Sequence, residues 1–237
     1  MLKKIFYFFV CFICVQLVYA QKKYTHQDTL RGSITPERFW WDLTYYELDV
    51  TVRPESKTIC GKNTIQYRRL NSENDVMQID LQPPMQLTKA TQDGQELTIK
   101  HDGNAHYIKL KKKQSINSIE QITVYFEGKP KAAERAPWDG GFSWEKDENG
   151  TDFIATSCQG LGASVWWPNK DHMYDEVDSM KIHVTVPKHL TAVANGRLTQ
   201  VSKTENERTF SWKVSNPINN YGVNVNIGDY VHFSEKY

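Results

Sequence analysis

The chain has 237 residues, with 29 Lys and Arg set against 28 Asp and Glu and a formal net charge of +1. That length suits one large domain or two small ones. A near-neutral charge of scattered sign leaves no electrostatic footprint for nucleic acid.

The first element is set apart by composition. Lys3 and Lys4 precede an almost purely apolar run, 5–18, and Val18-Tyr19-Ala20 follows. This order reads as a secretory signal peptide cut between Ala20 and Gln21. The run is shorter than the roughly 20 residues a bilayer-spanning helix needs. The expectation is a secreted or periplasmic protein with no integral membrane span after cleavage. Residues 1–20 are then the signal, 21–40 an N-terminal extension and 41–237 the globular domain. Cleavage removes Cys11 and Cys14. Cys60 and Cys158 remain, either as one disulfide or as two partly buried thiols.

From Tyr46 onward, period-2 alternation dominates. Tyr46, Leu48, Val50 and Val52 alternate with Glu47, Asp49, Thr51 and Arg53. The same spacing recurs at Ile122, Val124 and Phe126, at Met180, Ile182, Val184 and Val186, at Phe210, Trp212 and Val214, and at Val223, Val225 and Ile227. Each run predicts a half-buried strand. Pro83-Pro84, Asp102-Gly103-Asn104 and other Pro, Gly and Asn clusters punctuate the runs. Asp93-Gly94 and Asn195-Gly196 predict tight hairpins, because both central residues tolerate positive φ. No apolar pattern of helical period exceeds about two turns. The fold class is therefore all-β, a large antiparallel sandwich or saddle of ten or more strands.

Residues 129–178 break this rhythm and read as a long Trp- and Gly-rich loop segment holding Trp138, Trp144, Trp166 and Trp167. A long irregular segment inside a compact domain is usually functional. Its tryptophans either form an exposed platform for carbohydrate or cover the sandwich core. Asp171, Asp175, Glu176 and Asp178 group as calcium ligands could, but their spacing fits no EF-hand loop. None of the seven histidines is followed by Glu, so the H-E-x-x-H zinc helix is absent. Gly162-Ala163-Ser164 is not a G-x-S-x-G elbow, and Cys158 has no evident activating partner. No catalytic residue and no metal ligand is assigned.

One stretch carries a resemblance. Gly140-Gly141-Phe142, then Ser157-Cys158-Gln159-Gly160-Leu161-Gly162-Ala163-Ser164-Val165-Trp166-Trp167-Pro168-Asn169-Lys170-Asp171, resembles the N-terminal domain of aminopeptidase N-like zinc metallopeptidases, peptidase family M1. In that family a Gln is followed nine residues later by Pro and then by an acid, as in P-C-x-D. Gln159, Pro168 and Asp171 keep that spacing, and Asn169 stands where many members have Cys. Later strands and the closing Asn226-Ile227-Gly228-Asp229-Tyr230 follow the family's order, so the resemblance covers roughly 41–237.

The resemblance implies an N-terminal β-domain working beside a separate zinc-bearing catalytic domain. H-E-x-x-H and G-x-M-E-N are both absent here, so the chain is expected to end before that domain. It should then hold no cofactor of its own, the zinc lying in the catalytic domain, and be inactive alone. The resemblance also implies that Gln159 is substrate-binding, reaching into the cleft toward the free α-amine and first side chain of a peptide. An amide carbonyl suits that task because it accepts from an ammonium without adding a full charge. The expected partners are peptide N-termini and the catalytic domain. The competing reading is a secreted, non-catalytic sandwich that grips glycan or protein through its tryptophans.

Overall fold

A computed structural model describes residues 24–236 apart from 112, 137 and 159. The segment read as a signal peptide lies outside the described residues.

Two short helices come first among the described residues, α1 (His26–Gly32) and α2 (Pro36–Phe39). Strands follow in the order β1 (Trp41–Arg53), β2 (Thr58–Arg69), β3 (Val76–Asp80), β4 (Gln86–Gln92), β5 (Gln95–Glu96), β6 (Thr98–Asp102), β7 (Ala105–Lys109) and β8 (Ile119–Gly128). Then come β9 (Gly141–Lys146), β10 (Asp152–Ser157), β11 (Ser179–Pro187), β12 (Thr191–Ala194), β13 (Arg197–Lys203), β14 (Glu207–Val214) and β15 (Val225–Gly228). They form an eight-stranded sheet, β13-β14-β11-β1-β2-β8-β4-β5, a four-stranded sheet, β12-β15-β10-β9, and a three-stranded sheet, β3-β7-β6.

The alternation in the sequence predicts which side chains turn inward. Leu48, Val50, Ile65, Ile122, Val124, Ile182 and Val184 of the large sheet join Ile79 and Ile108 of the three-stranded sheet and Ile154 and Ile227 of the four-stranded sheet in one core. This is the packing of a β-sandwich. Within β1 the pattern slips once, where a bulge between Leu43 and Tyr45 shifts the register against β2. The extra residue keeps Trp41 and Leu43 on the buried face together with Tyr46 and Leu48.

Three features differ from the sequence expectation. First, β1 pairs parallel with β11, although its other neighbour, β2, is antiparallel. Alternation encodes which face is buried but not strand direction, and a parallel partner arrives only through a long crossover. Secondly, Asp93-Gly94 closes the β4–β5 hairpin with positive φ at both residues, whereas Asn195-Gly196 makes no hairpin. β12 pairs with β15 and β13 with β14, so the chain changes sheet at Asn195-Gly196. The Asn195 side chain holds that crossing, donating to the Gly222 carbonyl at 3.0 Å and accepting from Asn224 N at 2.8 Å. Thirdly, the segment read as loop contains β9 and β10, paired from Gly141–Ser157 to Lys146–Asp152.

Helix α1 buries no residue and owes its position to polar contacts. Thr25 and Asp28 form a capping box at its start. His26 Nε2 lies 2.9 Å from Asp102 Oδ2, and Gln27 bonds both the Asp102 carbonyl (3.2 Å) and Asn104 N (2.9 Å). These contacts seat α1 on the tip of the β6–β7 hairpin.

Candidate functional site

Two ion pairs sit where the 158–178 segment crosses the edge of the core. Arg38, fully buried, donates to the carbonyls of Leu30 (2.8 Å), Arg31 (3.1 Å) and Ser33 (2.8 Å) and to Asp80 Oδ2 (2.6 Å). Asp80 also accepts from Gln78 Nε2 at 2.8 Å and from the Asp171 amide at 3.0 Å. Burial raises the Asp80 pKa, and Arg38 limits the rise. Lys170 is likewise fully buried. Its Nζ donates to the Trp41 carbonyl at 2.7 Å and to Asp175 Oδ2, and it lies 3.9 Å from the Trp41 ring centre. Burial lowers the Lys170 pKa to about 8 against the opposing pull of Asp175.

These pairs hold the backbone of the segment. The Lys170 amide donates to the Tyr46 hydroxyl at 2.9 Å, and Asn220 Nδ2 donates to the Lys170 carbonyl at 2.6 Å. Asn63 Nδ2 reaches the Pro168 carbonyl at 2.9 Å. Asn169, at the position where the resemblance offers Cys, is fully buried and pairs with the Asp80 backbone in both directions (2.8 and 3.2 Å). The residues of the Q…P…D spacing that the structure describes, Pro168 and Asp171, are thus both fastened to the core.

Upstream, a glycine turn projects from this base. Gly160 and Gly162 take φ of 80° and 83°, which favours glycine at both positions. The Gly162 amide closes on the Cys158 carbonyl at 2.9 Å. Gln82 Nε2 donates to the Leu161 carbonyl (2.7 Å) and to Ser164 Oγ (2.9 Å), and Ser164 Oγ donates to Asp171 Oδ2 at 2.6 Å. Arg31 donates to the Gly160 carbonyl at 3.1 Å. The turn borders a cavity of about 810 Å³ that is also walled by α1, by 171–176 and by 219–221. Pockets of this size hold small organic groups or the end of a peptide.

Gln159, the candidate substrate-binding residue, lies outside the described residues, but its neighbours Cys158 and Gly160 both line the cavity. The tryptophans mostly cover the core. Trp166 and Trp167 are fully buried and Trp144 packs against the core, while Trp138 is exposed. Of the two readings of these tryptophans, the arrangement supports the one in which they cover the sandwich core. The acidic cluster is engaged internally, through Asp175 with Lys170 and Asp171 with Ser164. Among the described residues, no group of three or more His, Cys, Asp or Glu is placed to hold a metal ion. Cys60 and Cys158 are unpaired, and burial pushes the Cys158 thiol up to about 12, well away from a reactive thiolate. No described helix is long and apolar enough to cross a membrane. Sequence reasoning missed the buried Arg38 and Lys170, which sit in polar stretches without periodic signal, and Asp80, which ends the short strand β3 where a polar residue reads as outward-facing.

Against known proteins, the model of the Peptidase M1 N-terminal domain matches residues 43–221. An M1 zinc metallopeptidase from Deinococcus radiodurans superposes with a TM-score of 0.69 at 18% identity, over 84% of this chain and 44% of its own. A mutant M1 zinc metallopeptidase from the same organism, bound to a Tyr-Ser-Ala substrate, gives 0.68 at 19% identity, over 84% and 44%. Native leukotriene A4 hydrolase from Saccharomyces cerevisiae gives 0.62 at 16%, over 90% and 32%. At these identities the likeness is one of fold, and this chain spans less than half the length of each. No curated protein gives a significant match.

Proposed function

Because this chain belongs to the family of peptidase M1 N-terminal domains, we propose that it forms the substrate-side β-domain of an exported zinc-dependent aminopeptidase. In this reading it supplies one wall of the cleft in which a peptide N-terminus is held. A catalytic domain supplies the zinc and the hydrolysis. The observation that carries the reading is the cavity of about 810 Å³ beside the glycine turn, bordered by Cys158 and Gly160 on either side of Gln159 and by Asp171 of the same motif. A wall built on buried ion pairs and carbonyls fixed by side chains is pre-organised, which reduces the ordering cost of binding. One structurally similar M1 zinc metallopeptidase was solved with a Tyr-Ser-Ala substrate bound, which supports a short peptide as the occupant. Export is supported by the N-terminal composition alone, Lys3 and Lys4 before an apolar run.

The test is Gln159→Ala in the longest protein encoded at this locus, assayed with aminoacyl-p-nitroanilides. Loss of a hydrogen bond to a charged group should raise KM about tenfold or more. An unchanged KM in an active enzyme rejects Gln159 as a substrate contact.

A further inference from the structure

The helix α1 precedes the matched family region, 43–221, yet it stands on the cavity. We propose that α1 is part of the substrate-binding wall and that Arg31 is a positioning residue for the 160–164 turn. The inference rests on the substrate-side reading of the cavity.

Backbone carbonyls at a cavity rim need partners to hold one conformation. The Leu161 carbonyl has Gln82, and Ser164 has Asp171; both partners fall within the matched region. The Gly160 carbonyl has Arg31, at 3.1 Å, from outside it. Arg31 also packs on the turn itself. A Cβ on Gly162 would lie 2.8 Å from Arg31 Nη2 and would overlap the Asp171 carboxylate, so guanidinium and carboxylate close on the glycine from two sides.

Helix α1 is held in place to do this. His26 and Gln27 anchor its start to Asp102 and Asn104, and Arg38 binds the Leu30, Arg31 and Ser33 carbonyls at its end. Across the cavity, Asn220 is buried and its Nδ2 donates to the Lys170 carbonyl at 2.6 Å, which ties the facing wall to the core. Asp28 and Arg31 on α1 therefore stand opposite the 219–221 wall, across the space where a peptide end would lie.

The test uses Arg31→Ala and Arg31→Lys in the longest protein the locus encodes. Neither change touches the Arg31 carbonyl that Arg38 binds. Hydrogen exchange is read at the 160–164 turn, alongside KM and kcat on aminoacyl-p-nitroanilides. Arg31→Ala should speed exchange at the turn and raise KM about tenfold with kcat within about twofold. Arg31→Lys, which keeps one donor, should recover most of the KM. Unchanged exchange, or an unchanged KM in an active enzyme, overturns the inference and leaves the substrate-side reading standing. A wild-type protein that cleaves no aminoacyl substrate overturns that reading and the substrate role of α1 with it, even if exchange responds.

Discussion

Lys170 shows how much of this site depends on single buried ions. Its ammonium is out of water, and Asp175, the Trp41 carbonyl and the Trp41 ring replace the lost solvation. A buried pair is at best a modest net gain, but removing one partner strands the other. Asp175→Asn should therefore cost about 3–5 kcal/mol in urea unfolding, with the 171–176 wall loosening first. A loss below about 1 kcal/mol would mean that the carboxylate contributes little beyond what water could. Nothing in Pro168-Asn169-Lys170-Asp171 foretells this burial. A lysine between Asn and Asp reads as solvated loop, and only the three-dimensional approach of Trp41 and Asp175 makes it a core residue. The same holds for Arg38, four residues into a polar stretch after Ile34.

Elements differ in how openly the sequence declares them. β1 and β11 are legible because one face is buried and the side chains alternate, strictly in β11 and with one slip in β1. Asp93-Gly94 is legible as a turn because a two-residue loop with positive φ has few sequence solutions. Asn195-Gly196 carries the same local signal, but the tertiary pull of β15 on one side and β14 on the other makes it a crossing between sheets. Helix α1 is illegible by periodicity, having no buried face, and it stays in place through the β6–β7 hairpin. That hairpin gives a pH prediction. His106 is buried, its Nε2 lies 3.0 Å from the Leu81 carbonyl, and His101 faces it with the two Nδ1 atoms 2.6 Å apart. Burial lowers the His106 pKa below its ordinary 6.5. Unfolded His106 therefore takes up a proton before the folded form does. Its contribution to stability is complete above pH 6.5 and is lost as the pH falls below it. His106→Gln should flatten the decline in unfolding free energy as the pH falls below 6.5. An equally steep decline in the variant would assign the acid sensitivity to other groups.

The described chain is a β-sandwich of the M1 N-terminal family in which helix α1 and the 158–176 segment border a cavity. Fold class followed from alternation and turn residues, which are local. The site was half legible. The spacing of Gln159, Pro168 and Asp171 pointed to a segment that borders the cavity, but the contacts of Arg31, Arg38 and Lys170 join residues far apart in sequence. The central claim is that this domain binds substrate while another domain performs the chemistry. The measurement that tests it most directly is aminoacyl-p-nitroanilide hydrolysis with parallel zinc analysis, on residues 21–237 and on the longest protein the locus encodes. The account predicts activity and stoichiometric zinc in the longer protein and neither in 21–237. Hydrolysis by 21–237 alone, or silence from both, would contradict it.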